Sequence, residues 1–143
     1  MGLRQITYNT EDYNKMVQLR NQILRQPLGM TLHPEELKNE KNDIHIAAFD
    51  EDEILGCCVL TPVDESTLRL RQMAVNGDMQ LKGIGASIIT FAENIARDKG
   101  YKNIIMHARN TATGFYEKFG YRRTGNEFNE VNLPHYIMEK KLR

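Results

Sequence analysis

The chain of 143 residues has the length of one ordinary domain, and a compact chain of this size buries roughly two-thirds of its unfolded surface. Nineteen Lys and Arg balance nineteen Asp and Glu, and 41% of the residues are hydrophobic. Binding to nucleic acid or a membrane surface through excess positive charge is therefore disfavoured, and so is disorder. The longest apolar run, ILGCCVL at residues 54–60, is far short of the roughly 20 residues of a membrane span. The first residues lack an apolar signal core, so a cytoplasmic protein is expected.

Residues 3–8 read as a first strand, and Asn9 or Thr10 can cap a helix whose apolar positions Tyr13, Met16, Val17, Ile23 and Leu24 recur at helical spacing. That helix is expected to end near Arg25, before Pro27 and Gly29. Residues 33–39, opening with Pro34, suit a short second helix. IHIAAF at 44–49, the acidic turn DEDE at 50–53 and ILGCCVL form a hairpin. The only cysteines, Cys57 and Cys58, lie inside that apolar run and read as reduced core thiols. Four scattered histidines show no metal-ligand spacing, so no metal site is expected.

Residues 67–75 read as a further strand with Leu68 and Leu70 on one face and Arg69 and Arg71 on the other. A helix starts around Gly83, carries Ile84, Ile88, Phe91 and Ile95 on one stripe, and stops at Lys99-Gly100. A strand at 103–108, a short helix at 111–120 and two closing strands follow, the last at 136–142. This order predicts a single α/β domain, one mixed sheet with helices on both sides.

The stretch LRQMAVNGDMQLKGIGASII is the most informative. A strand, a glycine-bearing loop and a long helix aim several backbone N–H groups at one point, which favours phosphate oxygens. Neither a Walker loop nor a GxGxxG fingerprint fits, because Lys82 precedes Gly83 and position 88 is Ile88. Q/R-x-x-G-x-G/A between strand and helix does fit, followed about thirty residues later by FYEKFGY. With these motifs the chain resembles the GCN5-related N-acetyltransferase superfamily over nearly its whole length. The resemblance implies the fold of that family and acetyl-CoA as co-substrate. It implies that the loop amides of Gln80, Leu81, Lys82, Gly83, Ile84, Gly85, Ala86 and Ser87 hold the CoA pyrophosphate. It also implies that the strand at Met73, Ala74 and Val75 splays from its neighbour to pair with pantetheine, where an amide can polarise the acetyl carbonyl.

Within the superfamily, ILRQP, LRQMA, HARNTATGFYEKFGY and a Pro-His before the last strand resemble the glyphosate N-acetyltransferase-type branch. That resemblance makes Tyr116 the acid that assists the leaving thiolate and His135 the general base. It assigns Arg25, Arg71 and Arg109 to the anionic groups of an amino-acid-like acceptor. Read as residues alone, Tyr116 is a packing aromatic and His135 a loop histidine, although an imidazole suits proton transfer near neutral pH. Arg71 is the arginine least at ease as a bystander, because a central strand covered on both faces must offer it an anion or a cleft. The expected function is acetyl transfer from acetyl-CoA to the amine of a small anionic acceptor. The alternatives are a protein or peptide acetyltransferase and a non-catalytic acyl-CoA-binding module. The superfamily also makes a homodimer an expectation; nucleic-acid and membrane partners are not expected.

Overall fold

A computed structural model describes residues 1–77 and 83–143. Strand β1 (Gly2–Ile6) leads to helix α1 (Glu11–Arg20), whose Thr10 hydroxyl caps the Tyr13 amide. The helix does not run on regularly to Arg25: it widens into a π turn over Asn21–Arg25 and tightens into a 3₁₀ turn over Gln26–Leu28. Helix α2 (Pro34–Lys38) precedes a run of strands, β2 (Ile44–Asp50), β3 (Glu53–Pro62) and β4 (Thr67–Val75). Helix α3 (Ile84–Asp98), β5 (Asn103–Arg109), the short α4 (Thr113–Glu117), β6 (Arg122–Glu130) and β7 (Leu133–Lys141) complete the fold. The seven strands form one sheet in the order β1-β2-β3-β4-β5-β7-β6, and β4 and β5 are its one parallel pair.

The sheet has a core on each face. On one side α1 places Tyr13, Met16 and Leu19 over Ala47, Phe49, Cys57 and Val59. On the other, α3 places Ile84, Ile88, Ile89 and Ala92 over Ile46, Cys58, Leu60 and Leu68. The adjacent cysteines thus enter different cores, as the period-two alternation of a strand requires. Both are free and fully buried, and burial pushes the Cys57 thiol up to about 12. Gly56 lets α3 approach: a Cβ there would sit 2.8 Å from Ile88 Cδ1 and 3.1 Å from the Ala74 carbonyl oxygen. Gly56→Ala is accordingly expected to lower stability by about 1–3 kcal/mol, the usual cost of overpacking, as read from urea unfolding.

Strand β4 breaks its own alternation. Val59 faces Arg71 and Cys57 faces Ala74, so β4 carries one more residue than β3 between these pairs. The bulge residue Gln72 takes φ +56°, in the left-handed region. Its consequence is a change of face: Leu68 and Leu70 belong to the α3 core, whereas Ala74 belongs to the α1 core. Pairing between β4 and β5 covers Thr67–Leu70 against Asn103–Met106 and ends there, while β5 goes on pairing with β7 as far as Arg109 and His135. The two parallel strands therefore open like a V beyond Leu70, where the bulge begins.

Candidate active site

A cleft of about 550 Å³ occupies that opening. Arg69, Arg71, Gln72 and Met73 line it from β4, and His107 and Arg109 from β5. Arg25 comes from the π turn, Tyr116 from α4, and Glu130 and His135 from the β6–β7 hairpin. Six of the residues expected from the sequence thus share one cleft: Arg25, Arg71, Met73, Arg109, Tyr116 and His135. Ala74 is instead buried under α1, and Val75 packs toward α3. Gly83, with φ +77°, caps α3, and Ile84, Gly85 and Ala86 supply its first amides, with Ser87 N–H already bonded to the Gly83 carbonyl at 3.1 Å. Gln80, Leu81 and Lys82 lie outside the described residues.

His135 is not in a loop before the last strand, as the sequence suggests, but three residues into β7, opposite Arg109 on one side and Phe128 on the other. Pro134 misleads here, because proline is tolerated at the opening of a strand. The imidazole is 5% exposed, and its Nδ1 lies 2.8 Å from the Leu133 carbonyl oxygen. A carbonyl only accepts, so Nδ1 carries the hydrogen and Nε2 presents its lone pair. Nε2 sits 3.8 Å from Glu130 Oε2.

The arginines are better partnered than the sequence implies. Arg71 Nη1 reaches Thr61 Oγ1 at 3.4 Å and lies 3.8 Å from Asp43, a carboxylate just before β2 that no local pattern connects to it. Arg25 pairs with Glu36 at 3.1 Å. Arg109 is exposed and forms no ion pair among the described residues. Sequence reasoning missed Arg69 and Glu130. Arg69 shares the strand face of Arg71; its Nη2 lies 3.0 Å from His107 Nδ1, and its Nε is buried without a hydrogen-bond partner. Glu130 Oε1 is also 3.0 Å from His107 Nδ1, so that one nitrogen serves either the guanidinium or the carboxylate. Burial works against the Glu130 charge, but the His107 hydrogen bond and the positive charge around it, that of Arg69 included, hold its carboxyl below the ordinary value. Four arginines against the carboxylates Glu36 and Glu130 give the described lining a positive balance.

Tyr116 is 7% exposed, and its ring stands edge-on to Phe115 and Tyr121. Burial, with a contribution from Cys58, pushes its phenol above the ordinary value, so the hydroxyl keeps its hydrogen at neutral pH.

A mixed sheet split between its parallel strands, with the start of a long helix following the first of them and an imidazole and a phenol lining the split, is an architecture suited to acyl transfer. Residues 11–142 match the family model described as an acetyltransferase (GNAT) domain, and the chain belongs to that family. It is 33% identical over 86 residues to "Probable N-acetyltransferase 14" of Xenopus tropicalis, a match covering 57% of this chain and 42% of the frog protein. In fold it is similar to an aminoglycoside 6'-N-acetyltransferase complexed with coenzyme A, at TM-score 0.84 and 19% identity over 100% of this chain and 98% of the other. It is also similar to a GNAT family acetyltransferase from Elizabethkingia anophelis with acetyl-CoA bound, at TM-score 0.76 and 22% identity over 99% and 97%.

Proposed function

We propose that the chain transfers the acetyl group of acetyl-CoA to the amine of a small, anionic, amino-acid-like acceptor. The observation that carries this reading is the gathering of Arg25, Arg69, Arg71 and Arg109 around one cleft that also holds His135 and Tyr116. Planar guanidiniums grip carboxylate, phosphate or phosphonate groups at two points. The start of α3 fits the anionic part of the donor: Gly83 brings no side chain over the first amides, and among the described residues a Cβ at that position would meet nothing within 4 Å. Gly83, Ile84, Gly85 and Ala86 would hold its phosphates, and Met73 on the opened edge of β4 would lie along its chain. Bound there, the donor supplies an activated thioester.

The remaining work falls to the protein. His135 Nε2 takes a proton from the acceptor nitrogen, with the ring held by Nδ1–H on the Leu133 carbonyl. The neutral nitrogen attacks the acetyl carbonyl carbon, the carbon–sulfur bond breaks as the new amide forms, and the second proton lost by the nitrogen ends on the departing sulfur, which leaves as the free thiol. A thiol has an ordinary pKa of about 8.5, below that of the raised Tyr116 phenol, so Tyr116 serves the departing sulfur by donating a hydrogen bond rather than by giving up its proton outright.

The test is thiol release from acetyl-CoA with amino acids and aminophosphonates set against neutral amines. Arg71→Ala is expected to lower kcat/KM for anionic acceptors by roughly 30-fold or more, mostly through KM, and to spare neutral amines. Arg109→Ala is expected to lose less, because an exposed cation is screened by salt. A parent enzyme that prefers neutral or cationic amines rejects the anionic acceptor and keeps the acetyl transfer.

A further inference from the structure

Glu130 plays no part in the mechanism above, yet it stands between both histidines of the cleft. Its Oε1 is held at 3.0 Å from His107 Nδ1, and its Oε2 is 3.8 Å from His135 Nε2. Because the His135 hydrogen resides on Nδ1, the Oε2 and Nε2 atoms are two acceptors facing each other at a separation too long for a direct bond. Both are satisfied by one bridging group that carries at least two hydrogens, a water or an amine nitrogen, and that approaches each at about 2.8 Å. An ammonium is such a group, and its charge matches the ionised carboxylate.

The surroundings fix this pair in place. The Phe128 ring packs 5.3 Å from His107 and 5.9 Å from His135, centroid to centroid. Glu130 and Leu133 are cross-strand partners, joined by a turn in which Val131 takes φ +47° and Asn132 φ +62°. A β-branched residue in the left-handed region is strained, and strain of this kind persists where the surrounding structure over-determines the backbone. Glu36, the other carboxylate lining the cleft, is engaged by Arg25 at 3.1 Å.

We infer that Glu130 and His135 together form the subsite for the acceptor's ammonium group, Glu130 binding it in charged form beside the base that removes its proton. The inference rests on the acetyl-transfer reading above and adds a division of labour: the arginines take the acceptor's acidic end and Glu130 takes its amine.

Two measurements on the parent, Glu130→Gln and Glu130→Asp test it. Steady-state acetylation of glycine, aminomethylphosphonate and ethanolamine is expected to show, in Glu130→Gln, a KM raised about tenfold or more for every amine turned over, consistent with loss of a charge-assisted contact. Calorimetry on CoA-saturated protein compares aminomethylphosphonate with methylphosphonate, which lacks the amine. The parent is expected to favour the amine by about tenfold, Glu130→Gln to lose that preference, and Glu130→Asp to recover part of it. Unchanged amine preference in Glu130→Gln overturns the inference. So does an equal loss for both phosphonates, which would mean that Glu130 acts only by holding Arg69 and His107. Should ethanolamine outperform the anionic amines and still show the raised KM in Glu130→Gln, the anionic acceptor falls and the ammonium subsite stands.

Discussion

His135→Ala is expected to lower kcat by roughly 10²–10⁴-fold, the range associated with loss of a positioned general base. The reasoning begins with the backbone. Pairing of β7 with both β5 and β6 carries His135 to the opening of the sheet, and the Leu133 carbonyl fixes which ring nitrogen is the acceptor. Glutamine at 135 can keep a hydrogen bond to that carbonyl but offers no comparable base, so His135→Gln is expected to be nearly as slow. Both variants should bind CoA like the parent by calorimetry, since the α3 start is untouched. Near-parent turnover in either variant would assign the proton transfer to another group.

Glu40→Ala is expected to destabilise the fold by about 3–5 kcal/mol, the usual result of leaving a buried charge without its partner. Arg20 is fully buried and grips both oxygens of Glu40, with Nη2 3.0 Å from Oε2, and the Tyr13 hydroxyl donates to the same carboxylate. In a domain of this size the loss corresponds to a fall in Tm on the order of 10 °C. Calorimetric unfolding measures it, and a shift under about 2 °C would show that the pair is dispensable. Burial opposes the Glu40 charge, but the hydrogen bonds and charge of Arg20 outweigh it and hold its carboxyl below the ordinary 4.5. Burial also pulls His45 below 6.5, with its Nε2–H on the Glu40 carbonyl. A group whose pKa is depressed on folding binds its proton more readily when unfolded, so both contributions are lost as pH falls. Stability should begin to drop below about pH 6.5 through His45 and drop further below about 4.5 through Glu40. Glu40→Gln should shrink the lower of the two steps, leaving the part that comes from Glu130.

The effect reaches the cleft, because Arg20 Nε also lies 3.4 Å from Gln72 Oε1, on the bulge residue of β4. That contact illustrates what the sequence could and could not convey. Alternating and helical apolar patterns locate the elements, since burial of one face imposes a period that survives in the residue order. The glycine at the α3 start, where the donor is proposed to bind, is legible for a similar reason: a left-handed φ excludes most other residues. The bulge at Gln72 left no such mark. Glutamine is not a residue that announces a positive φ, and the conformation is sustained by tertiary partners fifty residues away. Asp43 beside Arg71 and Glu130 beside His135 were hidden likewise, being brought near by the register of the sheet rather than by spacing along the chain. The pattern places Tyr8 in β1, whereas the strand ends at Ile6 and the Tyr8 ring lies tilted against Tyr13, 4.8 Å between centroids.

The placement of Cys57 and Cys58 in opposite cores bears on how the protein can be followed in solution. They are the only two cysteines, and each is sealed from solvent in the folded state. A thiol-reactive dye added during turnover will therefore report the released CoA with little background from the enzyme itself. Without substrate, the same dye becomes a clock for opening of the molecule: Cys57 labels when the α1 layer lifts from the sheet and Cys58 when the α3 layer does. Mass spectrometry of the singly labelled species would then tell which of the two layers detaches first.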